Sequence, residues 1–340
     1  DLQRSLVKPT EIDLQTSSQA PLTTIGRSFI LANRNGGMAA ELKGELLFVK
    51  AKGAMYGLNG ENGDIVWRQF VGRDFDSQPL RLGAGATADA IVCQPQQGEI
   101  SRLRGSDGQT VWYSQLGSAV YNPTLVGDDL YVAAVDGVVA SVEGQTGKLR
   151  WAMKLPQTLA ASPAAVQDNP QLYVAGDHSN VYVMSRADGA CQQVFYVGHR
   201  AGAISVPPVW MLGHLFVFEN SGAQTSKIHV LSTSDDGLSL QAAQVPLTME
   251  GNVMTPPQID GRRLIVQTDL GQIKVLDIEP TAKSQQVSEL ITNPKNGLEP
   301  KQSWLLADNN RVWVVGQQLT RFDVRLAALS MSRAWIKNDG

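Results

Sequence analysis

Residues able to support redox, nucleophilic or metal chemistry are few and scattered in this chain of 340 residues. The two cysteines, Cys93 and Cys191, lie far apart, which excludes a disulfide framework. No His-Glu-x-x-His, Gly-x-Ser-x-Gly or glycine-rich phosphate loop occurs. We therefore expect the cysteines to be small buried hydrophobes and the histidines to be packed or surface residues. The histidines are His178, His199, His214 and His229.

Charge and composition exclude several classes of protein. The formal net charge is −3 and the isoelectric point is about 5.9, which argues against a nucleic-acid partner, since that needs a concentrated basic face. No window of 18 apolar residues occurs, so the sequence predicts no transmembrane segment. Thirty-two glycines and sixteen prolines, spread along the chain, indicate many tight turns and short strands.

The elements that would position any site come from an internal repeat. Residues 122–151 contain four short β-prone segments separated by Gly and Asp, which predicts an antiparallel meander of four strands. The third of these strands recurs seven times, at intervals of 39 to 47 residues. Its last apolar residue is Leu58, Leu103, Val142, Met184, Leu231, Leu276 or Phe322.

Each repeat predicts a sheet with two apolar faces, and stacking the sheets radially buries both faces of each one. We therefore expect an all-β fold, a β-propeller of four-stranded antiparallel blades, with seven blades and eight possible. The propeller is assigned to residues 36–340. Residues 1–35 form an N-terminal segment in which residues 27–32 are a possible ring-closing strand. Because the chain begins with Asp1, we expect it to be part of a longer protein.

A Gly-x-x-x-Trp motif marks the fourth strand of the first three repeats, where glycine permits the turn and tryptophan fills the gap between sheets. It runs from Gly63 to Trp67, Gly108 to Trp112 and Gly147 to Trp151. Here the chain resembles the PQQ-like (quinoprotein-type) repeat family, most strongly over residues 36–155. In repeats four to six Gln193, Gln241 and residues 281–287 replace the tryptophan, and the pattern partly returns at Trp335. The residues predicted to dock neighbouring blades are Trp67, Trp112, Trp151 and Trp335.

The resemblance implies several activities. The family includes PQQ- and calcium-dependent dehydrogenases, sensor domains attached to bacterial kinases, and the propeller lipoprotein that helps assemble outer-membrane proteins. Its dehydrogenases typically carry a vicinal Cys-Cys pair, and some carry a Cys-x-x-Cys-His haem site. Both are absent from this sequence, and no acidic cluster proposes a calcium site. The chain is therefore most similar to the non-catalytic bacterial members, which implies no enzyme activity, no cofactor and no metal. The same resemblance favours an extracytoplasmic, periplasmic location, with the compartment left open.

The connections between blades supply the candidate binding residues, because loops on a rigid scaffold carry function and aromatic, Arg and Met residues anchor interfaces. We predict a scaffold that binds a protein or peptide partner through the channel-mouth loops or the blade edges. A PQQ- and calcium-dependent dehydrogenase, and a ligand-sensing or spacer domain of a larger multi-domain protein, are the alternatives. The oligomeric state stays open. The candidate residues are Arg73, Phe75, Tyr121, Asn122, His199, Arg200, Met249 and Met254.

Overall fold

The computed structural model describes residues 44–72, 77–198, 200–234, 239–282, 284–295, 297, 299, 301–316, 318–326 and 330–338. Within these ranges there are 27 strands in seven antiparallel sheets and no α-helix. The chain divides into two compact units. Unit 1 contains residues 1–94 and 99–115, and unit 2 contains residues 95–98 and 116–340. The predicted N-terminal segment, with its strand at residues 27–32, lies outside the described residues.

Unit 1 contains two sheets. The first consists of β1 (Leu46–Ala51), β2 (Ala54–Asn59) and β3 (Ile65–Phe70). The second consists of β4 (Leu80–Leu82), β5 (Asp89–Gln94), β6 (Glu99–Leu103) and β7 (Thr110–Gln115). A short 3-10 helix, Gly85–Thr87, joins β4 to β5, and another, Pro95–Gln97, follows β5.

Unit 2 contains the other five sheets. The third comprises β8 (Thr124–Val126), β9 (Asp129–Ala133), β10 (Val138–Glu143) and β11 (Leu149–Lys154). The fourth comprises β12 (Gln171–Ala175), β13 (Asn180–Ser185) and β14 (Cys191–Tyr196). The fifth comprises β15 (Val209–Met211), β16 (His214–Asn220), β17 (Thr225–Thr233), β18 (Leu240–Ala242) and β19 (Leu247–Glu250). The sixth comprises β20 (Gln258–Asp260), β21 (Arg263–Gln267), β22 (Ile273–Ile278) and β23 (Val287–Asn293). The seventh comprises β24 (Trp304–Asp308), β25 (Arg311–Val315), β26 (Gln318–Arg325) and β27 (Ser330–Asn338).

The repeat read from the sequence corresponds to these sheets. The predicted third strands are β2, β6, β10, β13, β17, β22 and β26, and each pairs antiparallel with the strand before it. Both faces of a central strand are covered, so β16 is buried along its whole length, whereas the fourth strand β11 is largely exposed. The prediction of seven antiparallel sheets of about four strands is confirmed.

The core of unit 2 consists of apolar layers between consecutive sheets. One layer joins the third and fourth sheets through residues such as Tyr131 and Tyr182. A second joins the fourth and fifth sheets, with Tyr173 and Leu215 among its members. Because each sheet has an apolar face on both sides, the sheets stabilise one another rather than enclosing a separate core each.

Candidate functional site

The candidate site is one edge of unit 2, where the connections between sheets meet the hairpins that join second to third strands. We call this edge the rim, formed by residues 116–123, 155–163, 197–198, 200–208 and 251–257 with those hairpins. Backbone hydrogen bonds fix each connection to a hairpin. Val135 donates its N–H to the Ala119 carbonyl at 2.8 Å, and Gly202 donates to the Asp177 carbonyl at 2.9 Å. Such pairing gives the connections fixed positions, as a binding surface requires.

Tyr121 lies in the first connection of the rim and is half-buried. Its hydroxyl donates to the Leu159 carbonyl at 2.8 Å, which ties two successive connections together. Burial raises the pKa of Tyr121, and the negative charge of Asp177 raises it further. The phenol therefore stays protonated and acts as a hydrogen-bond donor within the fold. The neighbouring Asn122 is also half-buried.

Arg200 lies in the third connection, and its side chain is exposed. Its backbone carbonyl accepts a hydrogen bond from the Ser179 hydroxyl at 2.9 Å. Two residues later, the Gly202 N–H donates to the Asp177 carboxylate at 3.0 Å. The loop is thus fixed at the arginine and two residues after it, while the Arg200 side chain is exposed.

Met254 lies in the fourth connection and is 54% exposed. Asn220 fixes this loop, because its side-chain oxygen accepts the Val253 N–H at 2.8 Å. On the other side, the Asp269 carboxylate accepts the Asn252 N–H at 2.8 Å. An apolar side chain is therefore presented to solvent from a well-anchored loop.

Other predicted binding residues do not belong to this surface. Met249 was expected in a loop, but it lies in β19 and is only 3% exposed, because β19 pairs with β17 and turns this side chain into the core. The prediction of Met249 as a binding residue is therefore corrected. Arg73, Phe75 and His199 lie outside the described residues.

Asp177, Asn220 and Asp269 were missed by sequence reasoning, although they hold the rim together. A signal was present for all three. Each follows the last valine of its second strand by three residues, and these valines are Val174, Val217 and Val266. An alignment of the repeats by their second strands would have shown this shared position.

Two ion pairs add charge near the rim. Lys154 lies 2.9 Å from the Asp136 carboxylate, and its hydrogen bond lowers the pKa of Asp136. Lys295 lies 2.7 Å from Glu250. Both pairs are substantially exposed, so they contribute little to stability but set the charge pattern that a partner meets.

Two of the predicted docking tryptophans bridge neighbouring sheets of one unit. In unit 1, Trp67 is 6% exposed and its ring N–H donates to the Gly105 carbonyl of the next sheet at 2.6 Å. In unit 2, the half-buried Trp151 donates to the Arg186 carbonyl at 3.0 Å. Trp112 is half-buried in β7. Trp335 lies in β27, and its side chain is outside the described part of the structure.

Gln193 takes a docking role that the sequence did not suggest. Gln193 pairs with Val183, which lies one residue before the last apolar residue of the third strand β13. Trp151 pairs with Ser141, which has the same place in the third strand β10. Its amide donates to the Leu240 carbonyl at 3.1 Å and accepts the Leu240 N–H at 2.5 Å. Two hydrogen bonds thus replace the tryptophan contact at the same position of the repeat.

Two of the histidines have side-chain partners within the fold, whereas His178 is exposed. His214 is buried between the Leu212 carbonyl and the Gln286 side chain, and His229 lies 2.8 Å from the Glu219 carboxylate. Cys93 is buried, as expected, but Cys191 is exposed because it begins the outer strand β14.

Among the described residues no group of three or more His, Cys, Asp or Glu side chains is placed to hold a metal ion. None of the helical segments within the described ranges has the length and apolarity that crossing a bilayer requires.

Comparison with known proteins identifies the family. The family model described as "Outer membrane protein assembly factor BamB" matches residues 13–188. The protein of that name from Burkholderia pseudomallei is 28% identical over 110 residues, which are 32% of this chain and 27% of the relative. The one from Marinobacter adhaerens is 28% identical over 155 residues, which are 44% of this chain and 36% of the relative. The chain thus aligns with about a third of the length of these relatives.

Solved structures give the fold. The crystal structure of BamB from Moraxella catarrhalis matches with a TM-score of 0.62 at 13% identity, covering 86% of this chain and 85% of that one. With the seven sheets described above, this confirms the predicted fold class, an all-β β-propeller of seven blades. The resemblance to PQQ-like repeats is confirmed as well. Because the family model covers more than half of its residues, the chain belongs to the family of outer membrane protein assembly factor BamB.

Proposed function

We propose that this chain is a non-catalytic, extracytoplasmic scaffold that takes part in outer membrane protein assembly and binds a protein partner through the rim of unit 2. The names of the relatives support the biological role. The observation that carries the binding proposal is the exposure of Arg200 and Met254 on loops whose backbones are fixed by hydrogen bonds. Arginine and methionine are enriched at interfaces, and a preformed loop loses little conformational entropy on binding.

The polar side chains at the rim form hydrogen bonds to backbone groups of the fold, and this favours a scaffold over a catalyst. The Tyr121 hydroxyl donates to a carbonyl, and the carboxylates of Asp177 and Asp269 accept backbone N–H groups. These groups, which in an active site would transfer protons or bind a metal, are engaged in holding loops together. The groups left to face solvent are suited to contact rather than to reaction.

The test is photo-crosslinking in a bacterium that lacks its own protein of this family. The full-length protein carries p-benzoylphenylalanine at Met254, and we expect a crosslink to a component of the outer membrane assembly machinery. The double variant Arg200→Glu/Met254→Glu should lose function, measured as renewed sensitivity to a large antibiotic that an intact outer membrane excludes.

The matched control changes one basic and one apolar exposed residue away from the rim. Lys148→Glu/Val245→Glu reverses an exposed charge in the hairpin between β10 and β11 and adds a charge at an exposed apolar residue. It should keep both crosslink and function at equal protein level. Equal function of the rim variant and the control would refute the rim proposal. Dye-linked alcohol oxidation by the purified chain after addition of PQQ and calcium would refute the non-catalytic role.

A further inference from the structure

The strand β24, at one edge of the seventh sheet, differs from the first strands of other sheets. The first strands β4, β8, β15 and β20 have three residues each, whereas β24 has five. Edge strands are commonly kept short, because their unpaired N–H and C=O groups offer a template on which another strand can add. A longer edge strand is therefore a candidate position for pairing with a second polypeptide.

One face of β24 is apolar and open to solvent. On the opposite face, Leu305 is buried in the layer between the sixth and seventh sheets, and Ala307 packs against that layer. Because side chains alternate along a strand, Trp304 and Leu306 point away from this layer, and they are 46% and 57% exposed. Val315, which pairs with Trp304, is 41% exposed. Large apolar side chains thus form an uncovered strip along the edge of the sheet.

The hairpin that follows β24 shows which backbone groups an added strand can use. Residues 309–310 have φ of +46° and +65°, as in a two-residue type I′ turn. The residues that flank such a turn, Asp308 and Arg311, form a hydrogen-bonded pair, and bonded pairs alternate with non-bonded ones along an antiparallel ladder. The N–H and C=O groups of Leu305 and Ala307 therefore point away from β25. Among the strands that the structure describes, β24 pairs only with β25, which leaves these groups at a free edge.

Charge at one end of the strip defines what else the added strand carries. Asp308 lies two residues after Leu306, so its carboxylate is on the same face, about 7 Å along the strand. The side chain is exposed, and within the described ranges it forms no ion pair. Side chains directly opposite each other on neighbouring strands are in contact, so a Lys or Arg that faces Asp308 forms a favourable cross-strand pair.

We propose that β24 accepts an extended segment of another protein as an additional antiparallel strand, with a Lys or Arg followed by two apolar residues at alternate positions. The two apolar side chains cover Leu306 and Trp304, and the cation faces Asp308. The residues between them exchange backbone hydrogen bonds with Ala307 and Leu305. This surface contains none of the rim residues and does not depend on the function proposed for the rim.

The test is fluorescence polarisation of the full chain with a labelled peptide, Thr-Lys-Thr-Leu-Thr-Ile-Thr. N-methylation of its third and fifth residues removes the two donors that face Ala307 and Leu305, and should weaken binding at least about tenfold. The reversed sequence, Thr-Ile-Thr-Leu-Thr-Lys-Thr, has the same composition but places an apolar residue against Asp308. It should bind about fivefold more weakly.

Variants of the chain test the same surface. Leu306→Lys adds a charge at an exposed position, so it should fold, with an unchanged far-UV circular dichroism spectrum, and bind at least about tenfold more weakly. Ile259→Lys is the matched control and should bind like wild type. Ile259 is 50% exposed in the first strand β20, but it pairs with Leu264 and so lies on the face of the sixth sheet that is turned toward the fifth. The rim variant Arg200→Glu should also bind like wild type.

A charge swap tests the other end of the strip. Asp308→Lys should weaken binding of the Lys peptide about fivefold and strengthen binding of the same peptide with Glu in place of Lys. The proposal is overturned if wild type shows no binding up to about 1 mM peptide, if the N-methylated or reversed peptide binds as tightly as the original, or if a folded Leu306→Lys binds like wild type. Self-association of the full chain in analytical ultracentrifugation that Leu306→Lys abolishes would assign β24 to contact with a second copy and would also overturn it.

Discussion

Replacing Trp67 by alanine is expected to destabilise unit 1 by about 4 kcal/mol. The ring is 6% exposed, and a buried tryptophan removes about 200 Å² of mostly apolar surface from water. At about 25 cal/mol per Å² this contributes about 5 kcal/mol, from which about 1 kcal/mol of side-chain ordering is subtracted. The result agrees with the cost of about 3–5 kcal/mol usual for emptying a large aromatic site. Trp67→Phe should cost less, about 1–2 kcal/mol, mainly because the Gly105 carbonyl loses its donor.

The measurement is urea unfolding followed by far-UV circular dichroism, with m values compared between variants. Trp151→Ala is the matched control, because this ring makes the same kind of bond, to the Arg186 carbonyl, but is only half-buried. It should cost about 2 kcal/mol, in proportion to the smaller buried area. A loss below about 1 kcal/mol for Trp67→Ala, or a larger loss for Trp151→Ala, would refute the reasoning that ring burial between sheets supplies this stability.

Three further outcomes are expected. Gln193→Ala should cost about 1–3 kcal/mol in urea unfolding, because it leaves two backbone groups of the next sheet without their partner; an unchanged midpoint would contradict this role. Gly189→Ala should destabilise the protein by at least about 2 kcal/mol, because φ is +75° and the added Cβ would lie 2.5 Å from the Trp151 ring. Gly261→Ala is the control and should cost only about 1 kcal/mol, because φ is +62° but no atom lies within 4 Å of the added Cβ. Burial raises the pKa of Cys93 from 9.0 to about 12, so stability should be full below about pH 9 and fall as the pH rises toward 12. Cys93 should also resist a thiol reagent until urea is added, and its reaction in the folded protein at pH 8 would show that the thiol is not buried.

The strands were predictable because their pattern is local. Second and third strands such as β12 and β13 are apolar runs bounded by turn residues, and that pattern recurs at a nearly constant interval. Met249 was misplaced because the outer strand of its sheet is interrupted. β18 and β19 both pair with β17, and Pro246 lies between them, where the missing N–H favours a break in the ladder. Read along the sequence, such a break is indistinguishable from the end of the strand.

The rim was only partly predictable. The positions of Tyr121 and Arg200 follow from the repeat, because they lie in the connections between predicted blades. The roles of Asp177 and Asn220 do not, since each side chain bonds a backbone group in a separate connection. The period of the repeat shows where a connection lies along the sequence. Which side chain contacts that connection depends on how adjacent sheets are placed, and the local sequence does not contain this information.

The same distinction explains why the docking residue can change between repeats while the sheets stay in contact. Every sheet offers equivalent positions, and the fold needs each gap between sheets closed at enough of them to hold together. A bidentate amide at Gln193 fulfils the docking requirement that Trp151 fulfils one sheet earlier, so that position tolerates a change of chemistry. The requirement is therefore contact between adjacent sheets rather than a particular side chain, and a buried ring and an amide with two hydrogen bonds both meet it. For this reason the loss of the tryptophan motif in the later repeats does not indicate a loss of the fold.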